Sequence, residues 1–163
     1  SEIGILYLSE HNEAVLSKLI NKNDLNFEEL YVAKPHVFIS NNHPLANKEE
    51  ITIQDLMQYP YLVFEQGKHN SFYFSEEFLS SLEFPKNIMV RDRATLFNLL
   101  IGLNGFTVCS GIIDTELNGE NIISKPLKSD CSMRIGILTR KNSVISRYGV
   151  SYLNVLKNHL LID

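Results

Sequence analysis

The residues best suited to chemistry lie in one short polar stretch, Glu65-Gln66-Gly67-Lys68-His69-Asn70-Ser71. It follows the apolar run Tyr61-Leu62-Val63-Phe64 and precedes a helix predicted through Phe74, Phe78 and Leu82. In an open α/β sheet, ligands bind beyond the carboxyl ends of strands, where loops lead into helix N-termini. Gly67 permits close backbone approach. His69, Asn70 and Ser71 bring side-chain donors to helix amides that lack intrahelical partners, an arrangement suited to a carboxylate or a sulfate. The same residues also suit a structural role, in which Asn70 or Ser71 is an N-cap contributing roughly 1 kcal/mol. Tyr7 and Thr107 fall near the ends of predicted strands, where packing and ligand contact are both open to them.

Catalysis finds less support. A cysteine nucleophile needs a thiolate and a partner base. Cys109 closes the apolar run Phe106-Thr107-Val108-Cys109, where a thiol is inert core, and Cys131 sits in a polar loop. His11, His36, His43, His69 and His159 show no metal-ligand spacing with one another, with Cys or with carboxylates, so no metal is expected. Acidic residues are scattered over caps and helix surfaces without an acid–base pair. Gly102-x-x-Gly105 is too short for a dinucleotide fingerprint and stands at the end of a helix rather than its start. The residues point to binding, not to an enzyme, and to no cofactor.

The elements that position these residues follow from composition and periodicity. The chain has 163 residues, 44% apolar and 21% charged, with a formal charge of −4. That is globular composition, with room for one domain or two small lobes. No apolar run approaches a membrane span and no secretory leader opens the chain. Two cysteines make no disulfide framework, and a reducing cytoplasm is the expected location. Acidic residues outnumber Lys and Arg by 19 to 15, which argues against nucleic-acid binding by these residues alone. The balance is uneven: five basic residues and one acid lie between Arg134 and Asp163, which reads as a solvated basic face on a last helix.

Ile3 to Leu8 reads as a buried strand. A start inside a strand, without Met or a leading polar segment, suggests a piece of a longer polypeptide. Asn12 can cap a helix carrying Val15, Leu16, Leu19 and Ile20. Phe27 to Ser40 reads as extended, interrupted at Pro35. Asn41-Asn42-His43-Pro44 is a turn, and Thr52 can start a short helix that Pro60 ends. Further strands are predicted at 61–64, 87–90, 106–109, 122–123 and 133–138. Asp92 caps a helix so apolar all round that burial on several sides is expected. A last helix carries Ile145, Gly149, Leu153, Leu156 and Leu160 on one stripe. This alternation is that of an α/β fold with a mostly parallel sheet.

Val37-Phe38-Ile39-Ser40-Asn41-Asn42-His43-Pro44-Leu45-Ala46, then Ile51-Thr52-Ile53-Gln54-Asp55-Leu56 and Tyr59-Pro60, resembles the effector-binding domain of LysR-type transcriptional regulators. Ala94 to Phe106, with its glycine-rich turn, resembles that family's helix before a strand, and the likeness runs from Ile3 to the last helix. It implies a type II periplasmic-binding-protein-like fold, with a small-molecule effector held between two α/β lobes. Residues 36–128 would form one complete lobe. Residues 1–35 and 129–163 would form part of the other, and the winged helix-turn-helix that meets DNA would be absent. A lobe so reduced is expected to expose apolar surface and to self-associate. Carried over by position, Gln66, Gly67, His69, Asn70, Ser71, Tyr7 and Thr107 would line the effector site, although the family often has a small hydroxyl residue where Tyr7 stands. Phe64 to Phe74 resembles a subgroup of low-GC Gram-positive bacteria that regulates sulfur amino-acid supply. The alternative on the same fold is a solute-binding protein of a transport system.

Overall fold

The computed structural model describes residues 1–10, 12–65, 79, 82–113 and 115–160. In chain order the elements are β1 (Ile3–Ser9), α1 (Glu13–Lys22), β2 (Leu25–Ala33), β3 (His36–Ser40), α2 (Ile53–Leu56) and β4 (Tyr61–Phe64). There follow β5 (Asn87–Val90), α3 (Arg93–Gly102), β6 (Thr107–Cys109), α4 (Thr115–Asn118), β7 (Ile122–Pro126), β8 (Met133–Arg140) and α5 (Arg147–Leu160). They form two compact units, Ser1–Ala33 with Ser132–Asp163, and Lys34–Cys131.

In the first unit the sheet order is β1-β8-β2, and both pairs are antiparallel. β1 and β2 therefore run in the same direction, as a strand–helix–strand crossover requires, with β8 inserted between them from the far end of the chain. β1 is not the buried strand its composition predicts. It lies at the edge of this sheet, only Leu8 is buried, and Ile5 is 38% exposed. Asn12 precedes α1 but makes no side-chain cap bond to it. Its amide turns back to β1, where Oδ1 accepts from the Ser9 amide (2.7 Å) and Nδ2 donates to the Tyr7 carbonyl (3.2 Å). Asn12 thus serves the last backbone groups of an edge strand, and it is buried in doing so.

Across the sheet, Gly136 leaves room for the Phe27 ring: a Cβ on Gly136 would stand 2.3 Å from Phe27 Cζ. The Arg134 guanidinium lies 5.7 Å over that ring and pairs with Glu13 of α1 and Glu29 of β2. Part of the basic excess after residue 134 is therefore neutralised locally, since Lys157 also pairs with Glu28. α5 turns Gly149 toward Ile3 and lays Tyr148, Tyr152 and Val155 open to solvent, Tyr148 at 71%, and Val144 in the segment before it is 96% exposed.

In the second unit β3 lies between β6 and β7, antiparallel to both. β4 pairs in parallel with β5 and touches Phe106 through a parallel bridge at Tyr61. The expected mostly parallel ladder is corrected here, as in the first unit. Consecutive strands joined by helices do run the same way, but β3 and β8 run oppositely and sit between such strands. They convert most neighbouring pairs to antiparallel. Local periodicity reports that a strand exists, not which strand lies beside it.

The core of this unit shows the two-residue alternation of strands buried on both faces. Val37, Ile39, Tyr61, Val63, Phe106 and Val108 face one apolar cluster, while Phe38 and Leu62 face another with Val90, Leu96, Leu100 and Ile122. Each such fully buried aliphatic side chain contributes about 1.5–3 kcal/mol. Tyr61, Phe84 and Phe106 form an aromatic triangle with centroids 4.8–5.2 Å apart. α3 is buried on one side only: Leu96 and Leu100 face in, and Ile101 and Leu103 are 46% and 47% exposed. Its apolar composition exceeds what one sheet face can cover.

The segment around the His-Pro-Leu-Ala run is held by two local devices. Thr52 Oγ1 accepts from the Asp55 amide while Asp55 Oδ2 accepts from the Thr52 amide, a reciprocal capping box at the start of α2. Lys48 joins Asp55 at 2.6 Å, and these bonds hold the Asp55 carboxyl down at about 2. His43 is 3% exposed. Its Nδ1 accepts from the Leu45 amide (3.1 Å), which leaves the proton on Nε2 to donate to the Asn104 carbonyl (3.0 Å). Asn104 takes φ +48 to present that carbonyl after α3.

Candidate functional site

The second unit gathers strand ends on one edge. β4 and β5 are parallel and in register from Tyr61↔Asn87 to Phe64↔Val90, so both finish together. β6 runs parallel to β4 through the Tyr61–Phe106 bridge, with Leu62 N donating to Phe106 O at 2.8 Å. His36, at the start of β3, lies opposite both Cys109 and Pro126, which places the ends of β6 and β7 on the same edge. This is the edge at which α/β sheets bind ligands.

The stem of the polar loop is fixed there. Glu65 N donates to Val90 O at 2.7 Å, and the Arg91 guanidinium grips both oxygens of the Glu65 carboxylate. That grip holds the Glu65 carboxyl below its ordinary range and raises Arg91. Arg91 is largely in solvent, so the pair fixes geometry more than it adds stability. Asp92 then caps α3, its Oδ1 accepting from Thr95 N and its Oδ2 from Thr95 Oγ1, both at 2.8 Å. These bonds lower the Asp92 pKa and satisfy one of the helix-start amides that lack an intrahelical partner. Arg93, next in the chain, lies 5.1 Å over the Phe97 ring and makes no ion pair among the described residues. Its charge is felt at Cys109, whose thiol burial pushes up to about 12.

Beyond Cys109 the chain turns at Gly111, with φ +91, and passes against the His36 ring. A Cβ at Gly111 would stand 2.5 Å from His36 Nδ1, so glycine is required twice over. His36 Nδ1 lies 3.0 Å from the Lys34 carbonyl, which fixes the ring beneath this turn.

Of the residues singled out from sequence, Gln66, Gly67, His69, Asn70 and Ser71 lie outside the described residues, and so do Phe74 and Phe78 of the helix predicted after them. Thr107 opens β6 opposite Phe38, half-buried, two residues before the edge. Tyr7 belongs to the first unit, where it pairs with Ile135 near the carboxyl end of β1 and gives its carbonyl to Asn12. Sequence reasoning passed over Glu65–Arg91, Arg93 and the Gly111–His36 contact. The run Arg91-Asp92-Arg93 directly after a strand was a readable signal; the glycine contact was not, because its partner lies 75 positions away. Among the described residues no group of His, Cys, Asp and Glu is placed to hold a metal.

Known proteins give this arrangement its context. The model of the LysR substrate binding domain matches residues 7–160. The malolactic fermentation system transcriptional activator of Lactococcus lactis subsp. lactis is 24% identical over 166 residues, covering 95% of this chain and 55% of that protein. Two solved structures share the fold. One is the effector binding domain of QuiR in complex with shikimate (TM-score 0.60, 20% identity, 97% of this chain and 71% of that one). The other is the BenM effector binding domain with its effector benzoate (TM-score 0.60, 20% identity, 98% and 68%). The chain thus spans about half the length of the curated relative it matches. On the strength of a family match over nearly its whole length, this chain belongs to the LysR substrate-binding domain family.

Proposed function

We propose that this chain senses a small anionic or zwitterionic metabolite and that its occupancy modulates transcription through a DNA-binding segment outside these residues. The observation that carries this reading is Arg93. It is a cation without an ion pair among the described residues, at the edge where β4, β5, β6 and β7 all end. Shikimate and benzoate, the ligands of the two solved neighbours, are both carboxylates. Gln66, Gly67, His69, Asn70 and Ser71, which follow Glu65 in the sequence, together with Tyr7 and Thr107, are the proposed contacts. The relatives are transcriptional regulators, which favours sensing over the solute-transport alternative. No helix among the described residues is long and apolar enough to cross a membrane, and a cytoplasmic location is part of the proposal.

Residues 1–35 with 129–163 are proposed as part of lobe one, and 36–128 as lobe two. The open stripe Tyr148, Tyr152 and Val155 on α5, with Val144 in the segment before it, supports self-association through the first of these. A sedimentation weight that stays monomeric over a hundredfold concentration range would remove that element.

The direct test of sensing is a thermal-shift screen with O-acetylserine, cysteine, methionine, homocysteine, sulfate, shikimate and benzoate. The first five follow the likeness to sulfur amino-acid regulators. A hit should lose about tenfold in affinity in Arg93→Gln, Asn70→Ala and Ser71→Ala, since a charge-assisted bond contributes roughly 1.5–3 kcal/mol. A hit indifferent to all three variants would refute the proposed site.

A further inference from the structure

Helix α5 differs from the other long helices in what it buries. α1 sinks Leu16 and Ile20 into the first unit, and α3 sinks Leu96 and Leu100 into the second. Of residues 147–159 in α5 none is buried: Leu153 and Leu156 are half-buried, and Tyr148, Val150, Tyr152 and Val155 are open. Yet α5 shields a core residue of the sheet. Side chains directly opposite one another in antiparallel strands share a face. Ile5, Ile137 and Glu28 therefore lie on one face, with Ile3 two residues along the same strand. α5 crosses that face, since a Cβ on Gly149 would stand 3.3 Å from Ile3 Cδ1 and Lys157 pairs with Glu28. Ile137, between these two points, is 1% exposed.

The bonds that fasten α5 to the sheet are polar and sit at its two ends. Glu2 Oε2 accepts from Ser146 N at 3.1 Å just before the helix, and Lys157 reaches Glu28 from its last turn. Both ties are open to water, where such contacts add little. An element with few buried apolar side chains opens at a lower free energy than the core it rests on. We infer that α5 is a detachable strap, which lifts as one unit from a sheet that stays folded and bares Ile3, Ile5 and Ile137. The first unit thereby withholds or presents an apolar sheet face, and the two end ties set how often. This holds whether or not the second unit binds a metabolite.

Hydrogen exchange of the intact 163-residue chain at micromolar concentration, read by mass spectrometry on its peptides, tests the strap. Peptides from the two halves of α5 should show equal protection, at least about tenfold below that of the α1 and β8 peptides. Lys157→Met cuts the tie in the last turn. It should speed exchange through the whole helix by about two- to fivefold, the half near Tyr148 included, and leave α1 and β8 unchanged. Glu2→Ala, at the other end, should do the same for the half near Lys157. Protection of α5 equal to that of β8 would overturn the inference, because the helix would then open only with the whole unit. Protection that falls steadily toward residue 160, or a Lys157→Met effect confined to the last turn, would also overturn it, since both describe a fraying end.

Discussion

Replacing His43 by alanine offers the sharpest test of how this fold is held. The ring is 3% exposed, accepts from Leu45 N at 3.1 Å, donates to Asn104 O at 3.0 Å and packs 4.4 Å from the Tyr59 centroid. Leu45 is buried, so its amide loses its partner without gaining water, at a cost of about 1–3 kcal/mol. Asn104 is exposed and its carbonyl can be rehydrated, so that bond accounts for only about 1 kcal/mol. With the packing lost from Tyr59, His43→Ala should cost about 2–4 kcal/mol, a large share of a domain's 5–15 kcal/mol. Urea unfolding should show the midpoint falling with little change in slope.

Proton linkage gives a second reading of the same residue. Burial holds the His43 pKa below its ordinary 6.5, only partly offset by the bond to Asn104. Protonating Nδ1 would also set a donor against the Leu45 amide. Below 6.5 the unfolded chain takes a proton that the folded chain refuses, so this stabilisation is full above 6.5. It fades as pH falls toward the depressed folded value, with a slope of at most about 1.4 kcal/mol per pH unit. The difference in stability between the natural chain and His43→Ala should therefore shrink between pH 7.5 and 5. A loss under about 0.5 kcal/mol, well below the cost of one orphaned amide, or a difference independent of pH, would refute the reasoning.

Other expectations are as direct. Thr52→Ala removes the capping box and should cost about 1 kcal/mol by chemical denaturation. Because Asp55 is held at about 2 against an ordinary 3.8, the stabilisation it gains from Lys48 and Thr52 is complete above pH 4. It should be lost as pH falls through 2, and Lys48→Met should blunt that loss. Gly136→Ala forces a Cβ to 2.3 Å from the Phe27 ring and 2.6 Å from Glu28 O. It should cost about 1–3 kcal/mol, because the backbone oxygen cannot step aside as a side chain can. Towards a thiol reagent at pH 8, exposed Cys131 should react at once, and Cys109, with its thiol near 12, only as the chain unfolds.

Much of this protein is written locally. The apolar pairs of α1, the Thr52 and Asp92 caps, the break at Pro35 and the strands at Tyr61–Phe64 and Asn87–Val90 all follow from interactions within a few residues, which is why periodicity and turn chemistry disclose them. Membership of the family also rests on such short runs, read in order along the chain.

What tertiary structure alone decided is everything that joins distant residues. Nothing near Ile3 says that its strand will sit at an edge, because that depends on β8 arriving about 130 positions later. Nothing within α3 says that Leu96 and Leu100 will be buried while Ile101 is left open, since exposure is set by how far the sheet beneath extends. Asn12 has the composition of a cap and instead serves β1, because an edge strand's open backbone groups outbid a helix end that water can reach. The same holds for the sites. The ion-pair-free Arg93 is visible only once the partners of Glu65 and Asp92 are known, and that depends on distances in space that the order of residues does not encode.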